Sequence, residues 1–367
     1  MATKIRIGVL FGGKSAEHDI SLQSARNVVN ALDKKKYEVI LIGIDKRGQW
    51  YVQEASTALS NQQQSAQLGI TTHLNDWVTI VPGQSHTLLT GLMTKKQVTA
   101  LDVIFPVVHG PFGEDGTIQG LLKLANVPFV GADVLSSAIC MDKDVLKRLA
   151  RDAGIPIPKF VTIHRRDLSS INEEKIIKEV GLPCFVKPAN LGSSIGISKV
   201  KTKAALRAAI DKAMLFDNKI LVEEGIDGRE IECGVLGNAD PIASIPGEII
   251  PKAEFYTYEA KYFDPEGAEV TIADLPADII KKVQEMSIKA FQTFDCDGMA
   301  RVDFFLKKDG TLLLNEINTI PGFTRISQYP KMWEASGISY AELIDRLIQL
   351  AMEKFDQRQT IKTSPEE

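Results

Sequence analysis

Residues 8–15 read GVLFGGKS, which fits letter for letter the pattern G-x-x-x-x-G-K-[ST] of a phosphate-binding loop. In a working loop of that kind the first glycine ends the strand. The next four residues wrap their N–H groups round a phosphate, and the lysine and hydroxyl open a helix. Here Gly8 sits inside an apolar run over residues 5–11, because Val9, Leu10 and Phe11 continue it. The next amphipathic segment, SLQSARNVVNAL (residues 21–32), sets Leu22, Ala25, Val28, Val29 and Leu32 at helical spacing with Ser21 as N-cap. The helix is therefore expected late, with residues 16–20 holding Lys14 and Ser15 away from its start. A dinucleotide fingerprint also fails: G-x-G-x-x-G is absent, and Asp45 lies too far beyond the glycines for the expected spacing of about 20. The stretch reads as a strand crossing into a loop at the carboxyl edge of a sheet. Gly12 and Gly13 turn the chain, and Glu17 and His18 arrive at that edge. Alone, Glu17 reads equally well as a solvated loop charge.

YEVILIGI (residues 37–44) is a second buried strand, so the chain opens with a βαβ unit and a parallel sheet. Residues 45–97 are polar, with a Gln/Ser-rich piece SNQQQSAQ (residues 60–67), and read as a surface excursion. A strand over 103–108, the glycine turn HGPFGEDG (109–116), a helix over 117–126 and a short strand VPFVG (127–131) follow. A second module begins near Ala132 with a helix over 136–153 that ends at Gly154. PCFVKPA and GISKVKT then form a hairpin around the tip NLGSSIG, followed by a helix over 203–216 and the strand KILVEEGI. A third module carries the strands REIECGVLG, IASIPGEII, GMARVDFFL and TLLLNEIN, with helices over 277–294 and 340–355. The expected division is 1–131, 132–224 and 225–367.

A chain of 367 residues is too long for one ordinary core. With 44% hydrophobic and 25% charged residues it reads as globular and soluble, and a net charge of −4 gives no basic face for nucleic acid. The four cysteines, Cys140, Cys184, Cys233 and Cys296, lie far apart without a C-x-x-C pair and read as reduced core residues of a cytoplasmic protein. The apolar run near the N-terminus is far shorter than the ~20 residues of a membrane span, so neither a membrane nor export is expected.

The densest chemistry lies near the other end. Arg301 and Asp303 share one face of a strand, as do Glu316 and Asn318 on the next, since residues two apart point the same way. A cross-strand salt bridge is one reading. The apolar flanks Met299, Ala300 and Leu312 to Leu314 make the face interior, where oxygen donors are costly unless they hold something. That favours magnesium, which takes one or two carboxylates and completes its shell with water and phosphates. In FVKPANLGSSIG (residues 185–196), Lys187 ends a strand before a Gly/Ser tip able to lay N–H and hydroxyl groups over phosphate. Such a tip is by itself equally a mobile turn. In LVEEGIDGRE (residues 221–230), Glu223, Glu224 and Glu230 suit an adenine amino group and ribose hydroxyls, or plain surface charge.

Taken together, GGKSAEHDISLQSA, HGPFGEDGTIQG, MDKDVLKRL, FVKPANLGSSIGISKV, YEAKYFD, GMARVDFF and NEINTIPGFTRIS resemble, in order, the ATP-grasp superfamily and within it the D-alanine–D-alanine ligase family. The resemblance implies an α/β fold of three domains, the first Rossmann-like with a parallel sheet, and ATP between the second and third. It implies that Glu17 binds the ammonium of the first D-alanine with Ser194 and Tyr262, and that His109 lines the same site. Arg301 and N–H groups near Gly322 would receive an oxyanion, and Ser327 the carboxylate of the second D-alanine. Lys143, Lys187, Lys261 and Ser193 would contact ATP phosphates, and Glu223, Ile226 and Glu230 the adenine and ribose. Glu224 stands where the family often has lysine. Asp303, Glu316 and Asn318 would hold two magnesium ions, with manganese able to substitute. Tyr262 implies an amine acceptor, a homodimer is the usual assembly, and the aromatic YTYEAKYFDPEGAE (residues 256–269) is a candidate lid or a passive loop.

Overall fold

Ile5–Gly12 forms β1, and Gly8 lies within its ladder, opposite Ile40 on one side and Ile104 on the other. The computed structural model describes residues 3–54, 68–82, 88–94, 97–251, 268–362 and 364–365. After β1 come α1 (His18–Ala31), β2 (Tyr37–Ile44) and β3 (Trp50–Gln53). The next strands are β4 (Val78–Ile80), β5 (Leu88–Gly91), β6 (Gln97–Ala100) and β7 (Val103–Val107). The first sheet runs β3-β2-β1-β7, with β1 parallel to both β2 and β7.

Two expectations about its entrance change. The helix begins at His18 with Glu17 at the N-cap, three residues earlier than expected though still past Lys14 and Ser15, and Ser21 is not its cap. Ser21 is buried inside α1; its hydroxyl accepts from the Gly12 N–H at 2.7 Å and donates to the Val107 carbonyl, satisfying the turn that leaves the strand. Gly12 and Gly13 take φ of 91° and 106°, and a Cβ at Gly12 would lie 2.2 Å from the Ile44 carbonyl oxygen, so glycine is required there.

The piece SNQQQSAQ lies outside the described residues. Around it the polar region is more ordered than a surface excursion: β4, β5 and β6 form an antiparallel sheet that buries Val78, Ile80 and Leu89 against the outer face of the first. Strands this short carry too few alternations to register in a polar background.

The chain continues through α2 (Thr117–Leu124), α3 (Val134–Met141) and α4 (Lys143–Asp152). The single helix expected over 136–153 is thus two. Asp142 leaves the helical region, and its carboxylate accepts from the N–H groups of Asp144 and Val145, both at 3.1 Å, which starts a new helix. VPFVG makes only a bridge, Phe129 beside Ile104.

The second sheet joins β8 (Phe160–His164), β9 (Cys184–Pro188), β10 (Ser198–Val200) and β11 (Lys219–Glu224) in the order β10-β9-β11-β8, all antiparallel. The expected hairpin is its β9–β10 pair. α5 (Glu173–Val180) and α6 (Lys203–Ala213) cover one face, closing a core of Val186, Leu206, Ile210 and Val222.

The third sheet contains β12 (Gly228–Gly237), β13 (Ile242–Ala243), β14 (Gly247–Pro251) and β15 (Ala268–Ile272), then, after α7 (Ala277–Thr293), β16 (Gly298–Lys307) and β17 (Leu312–Asn318). Its order is β15-β14-β12-β16-β17, with β13 beside β12. The expected strand IASIPGEII is broken at Pro246, which has no N–H for a ladder. Helices α3, α4 and α7 pack on this sheet through Cys140, Leu146, Ala150, Val283 and Phe291.

An unanticipated α8 (Gln328–Ala335) and the closing α9 (Tyr340–Gln359) send Tyr329, Trp333, Leu343 and Leu347 into the core of the first sheet, against Ile7, Val9 and Phe105. Among the described residues no helix is long and apolar enough to cross a membrane.

Candidate active site

The site begins at the β16–β17 pair. Arg301 stands opposite Asn318 and Asp303 opposite Glu316, so all four side chains emerge from one face. The guanidinium of Arg301 donates to both Asp303 oxygens, at 2.8 and 2.7 Å, and its Nε lies 3.1 Å from the buried Glu232 of β12. The salt bridge that was the alternative to a metal site therefore exists, within one strand and to a neighbour. Burial opposes the charge on Arg301, but Asp303 and Glu232 outweigh it and raise its pKa well above the ordinary value.

The amide nitrogen of Asn318 donates to Asp303 at 3.0 Å, which leaves the amide oxygen as an acceptor. Among the described residues no group of three or more His, Cys, Asp or Glu could hold a metal. Two carboxylates and an amide oxygen nonetheless suit a hard cation that expects phosphate and water for the remainder of its shell. The residues present fit magnesium.

Past β17 the loop to α8 is pinned by Phe323, whose ring is fully buried and meets Phe105, Tyr329 and Tyr340 edge-on at 5.8, 5.9 and 6.3 Å between centroids. Beside that anchor Gly322 and Ser327 touch: a Cβ on Gly322 would stand 2.7 Å from the Ser327 hydroxyl, which is 2.8 Å from that of Thr324. This loop thus presents both predicted positions together.

The second sheet and α4 contribute lysines. Lys187 donates to Glu223 Oε1 at 2.6 Å, across β9 and β11, while Lys147 lies 2.8 Å from Glu223 Oε2. The carboxylate of Glu223 is thereby shared by two ammonium groups. Burial would raise its pKa, but the two lysines hold it below the ordinary value. Lys143 donates to the Leu191 carbonyl at 2.7 Å and approaches Glu316 to 3.6 Å, spanning the second and third sheets. Lys143, Lys147 and Lys187 thus converge on Glu223 and Glu316. Glu224 accepts from the Lys159 N–H at 3.2 Å, and Ile226 is half-buried close by in sequence. Glu230, half-buried, stands opposite Ile249 and Phe305 in the third sheet.

The N-terminal loop meets this assembly through Glu17. Its Oε1 accepts from the Ser193 hydroxyl at 2.5 Å, and Gly110, at a left-handed φ of 72° that favours glycine, brings the loop at 109–116 against its Oε2. Ser194 was expected beside Glu17 and Ser193 with ATP; the Ser193 hydroxyl also reaches the carboxylate. Both serines take left-handed φ, 53° and 59°.

His109 is buried at the same junction, its Nδ1 3.1 Å from the Ile320 carbonyl and 3.4 Å from Glu114, its Nε2 3.2 Å from the Ser24 hydroxyl. Burial would lower the His109 pKa, but the hydrogen bond and charge of Glu114, with the charge of Glu17, raise it. Lys14 lies elsewhere, over the Phe112 ring at 4.9 Å. Tyr262, Lys261 and nearly all of YTYEAKYFDPEGAE lie outside the described residues.

Ser24, Glu114, Lys147 and Glu232 were not anticipated. Only Lys147 left a trace, four residues after Lys143 on one helical face.

An N-terminal parallel-sheet domain, followed by two antiparallel sheets that share a set of lysines and acids, is the ATP-grasp architecture. A family model described as D-ala D-ala ligase N-terminus matches residues 6–132, and one described as D-ala D-ala ligase C-terminus matches residues 149–349. A D-alanine–D-alanine ligase of Shouchella clausii is 50% identical over 362 residues, 98% of either chain. The solved D-alanine–D-alanine ligase from Coxiella burnetii superposes with a TM-score of 0.84 at 40% identity, covering 98% of this chain and 97% of that one. A D-Ala:D-Ser ligase from Enterococcus faecalis does so with a TM-score of 0.82 at 37% identity, covering 95% and 100%. The chain belongs to the D-alanine–D-alanine ligase family.

Proposed function

We propose that the chain joins two D-alanines at the expense of ATP, through an acyl phosphate, releasing ADP and phosphate and supplying peptidoglycan precursors in the cytoplasm. The observation that carries this reading is the contact between Glu17 and Ser193, which joins the loop leaving the parallel sheet to the glycine loop of the nucleotide sheet.

Glu17 takes the ammonium of the first D-alanine, with Ser193 orienting it and Tyr262, Ser194 and His109 completing the niche. Lys143, Lys187 and Lys261 neutralise the phosphates as the carboxylate of that D-alanine attacks the γ-phosphorus. Glu224, Ile226 and Glu230 line the base and ribose. Asp303, Glu316 and Asn318 would hold two magnesium ions, which when bound offset charge on the transferring phosphoryl group. The second D-alanine, carboxylate on Ser327, attacks with its deprotonated amine. Arg301 and N–H groups near Gly322 stabilise the oxyanion before phosphate leaves. Water must be excluded, since an acyl phosphate hydrolyses. The assembly is a homodimer, with no nucleic acid or membrane partner.

The test is phosphate release with ATP, magnesium and single D-amino or D-hydroxy acids. D-alanine alone is expected to give turnover and the dipeptide by mass, with Glu17→Gln raising the KM for D-alanine. No turnover with D-alanine alone refutes the proposal. Product only when D-serine or D-lactate is added would reassign the acceptor.

A further inference from the structure

Lys147 has no part in those roles, yet it is the most deeply buried cation of the site, with a side chain 0% exposed beside a Glu223 that is 2% exposed. It extends from α4 and joins both nucleotide-side sheets. One contact is Glu223 on β11; the other is a 3.3 Å hydrogen bond to the Asn315 carbonyl on β17. Asn315 is the extra residue of a bulge, since Asp303 pairs with Glu316 while Phe304 pairs with Leu314. Lys147 thus grips the strand immediately before Glu316.

Lys187 is bound to the other oxygen of the same Glu223, at 2.6 Å. The Lys187 ammonium commits one of its three N–H donors to Glu223, and how firmly that carboxylate draws it away from a phosphate depends on whether a second cation shares the charge. If Lys187 left a carboxylate buried this deeply with no other cation, the uncompensated charge would oppose its departure strongly. Lys147 removes that obstacle: it is enclosed, has a second bond that anchors it, and stays on Glu223 when Lys187 turns away.

We propose that Lys147 is a positioning residue, the stationary counter-ion of Glu223 that frees Lys187 to engage the phosphates of the nucleotide. The inference rests on the reading of Lys187 as a phosphate contact. ATP binding is therefore measured directly on the full chain, apart from turnover, so that a protein that binds ATP but makes no dipeptide would refute the proposed reaction and leave this inference standing.

In Lys147→Met, Glu223 is left to Lys187 alone. The ATP dissociation constant by calorimetry is expected to rise at least about tenfold, equivalent to about 1.4 kcal/mol, while the KM for D-alanine stays within about twofold. Adding Glu223→Gln to Lys147→Met removes the charge that detains Lys187 and should recover most of the lost ATP affinity. Where Lys147→Met does not fold, Lys147→Gln keeps a buried donor without the charge and carries the same expectation. ATP affinity within about twofold of the parent in the single variant, with only thermal stability lowered, would make Lys147 structural and overturn the proposal. A double variant that binds ATP no better than the single one would also overturn it.

Discussion

Replacing Ser193 by alanine removes the hydroxyl that donates to Glu17 Oε1 at 2.5 Å and nothing else that bears on backbone strain, because serine already carries a Cβ at that positive φ. A hydrogen bond to a charged acceptor contributes about 1.5–3 kcal/mol. This one is only partly buried, so the lower half of that range applies. At about 1.4 kcal/mol per decade, the KM for the first D-alanine should rise about 10-fold to 40-fold. The ATP dissociation constant should stay within about twofold, because the bond lost points at the amino-acid niche. Ser194→Ala should disturb the KM for D-alanine less. The assay is phosphate release against D-alanine at saturating ATP, with ATP affinity measured separately by calorimetry. A tenfold loss of ATP affinity in Ser193→Ala, with the KM for D-alanine unchanged, would refute the pairing of Ser193 with Glu17 as the functional one.

Lys14→Ala should leave ATP affinity within about threefold, since its ammonium lies over Phe112 and Gly8 is locked in a ladder; a tenfold loss would restore the phosphate-loop reading. Asp142→Ala removes the cap that starts α4 and a partner of Lys219 at 2.5 Å. A loss of about 0.5–2 kcal/mol is expected from the cap, seen as a lower urea midpoint, and an unchanged midpoint would count against the cap. His109 has a raised pKa, so its protonated form adds stability that is complete below the unfolded value of about 6.5 and disappears as pH rises through the higher folded value. The stability gap between the parent and His109→Gln should therefore be larger at pH 6 than at pH 9 by urea unfolding. Equal gaps at the two pH values would contradict the charge assignment.

Much of the architecture was legible because it is written in short periods. The alternation of GMARVDFFL and TLLLNEIN placed Arg301, Asp303, Glu316 and Asn318 on one face, and that is where they lie. The apolar continuity of residues 5–11 correctly placed Gly8 inside a strand, although the companion argument put the helix start three residues too late and its cap wrongly at Ser21. Serine has the right chemistry for a cap, but here its hydroxyl serves the turn at Gly12 and the Val107 carbonyl, a residue that sequence spacing does not bring near. Asp142 shows the same limit in reverse: a helical period runs through it, and one carboxylate accepting two N–H groups is enough to divide the helix.

What the sequence determined by itself was the kind of element over most of the longer periodic stretches, the loops that carry chemistry and the family to which their order points. Local hydrogen bonding and hydrophobic period act over a few residues and can be read from a few residues. Only the tertiary structure decided that Ser193 meets Glu17, that Glu223 is held by Lys147 and Lys187, that Glu232 backs Arg301, and that the final helices complete the core of the first sheet. Those partners are far apart along the chain. Which buried charge finds which counter-charge depends on how separate layers pack, because an ion enclosed in the interior must be matched wherever the fold can supply a partner.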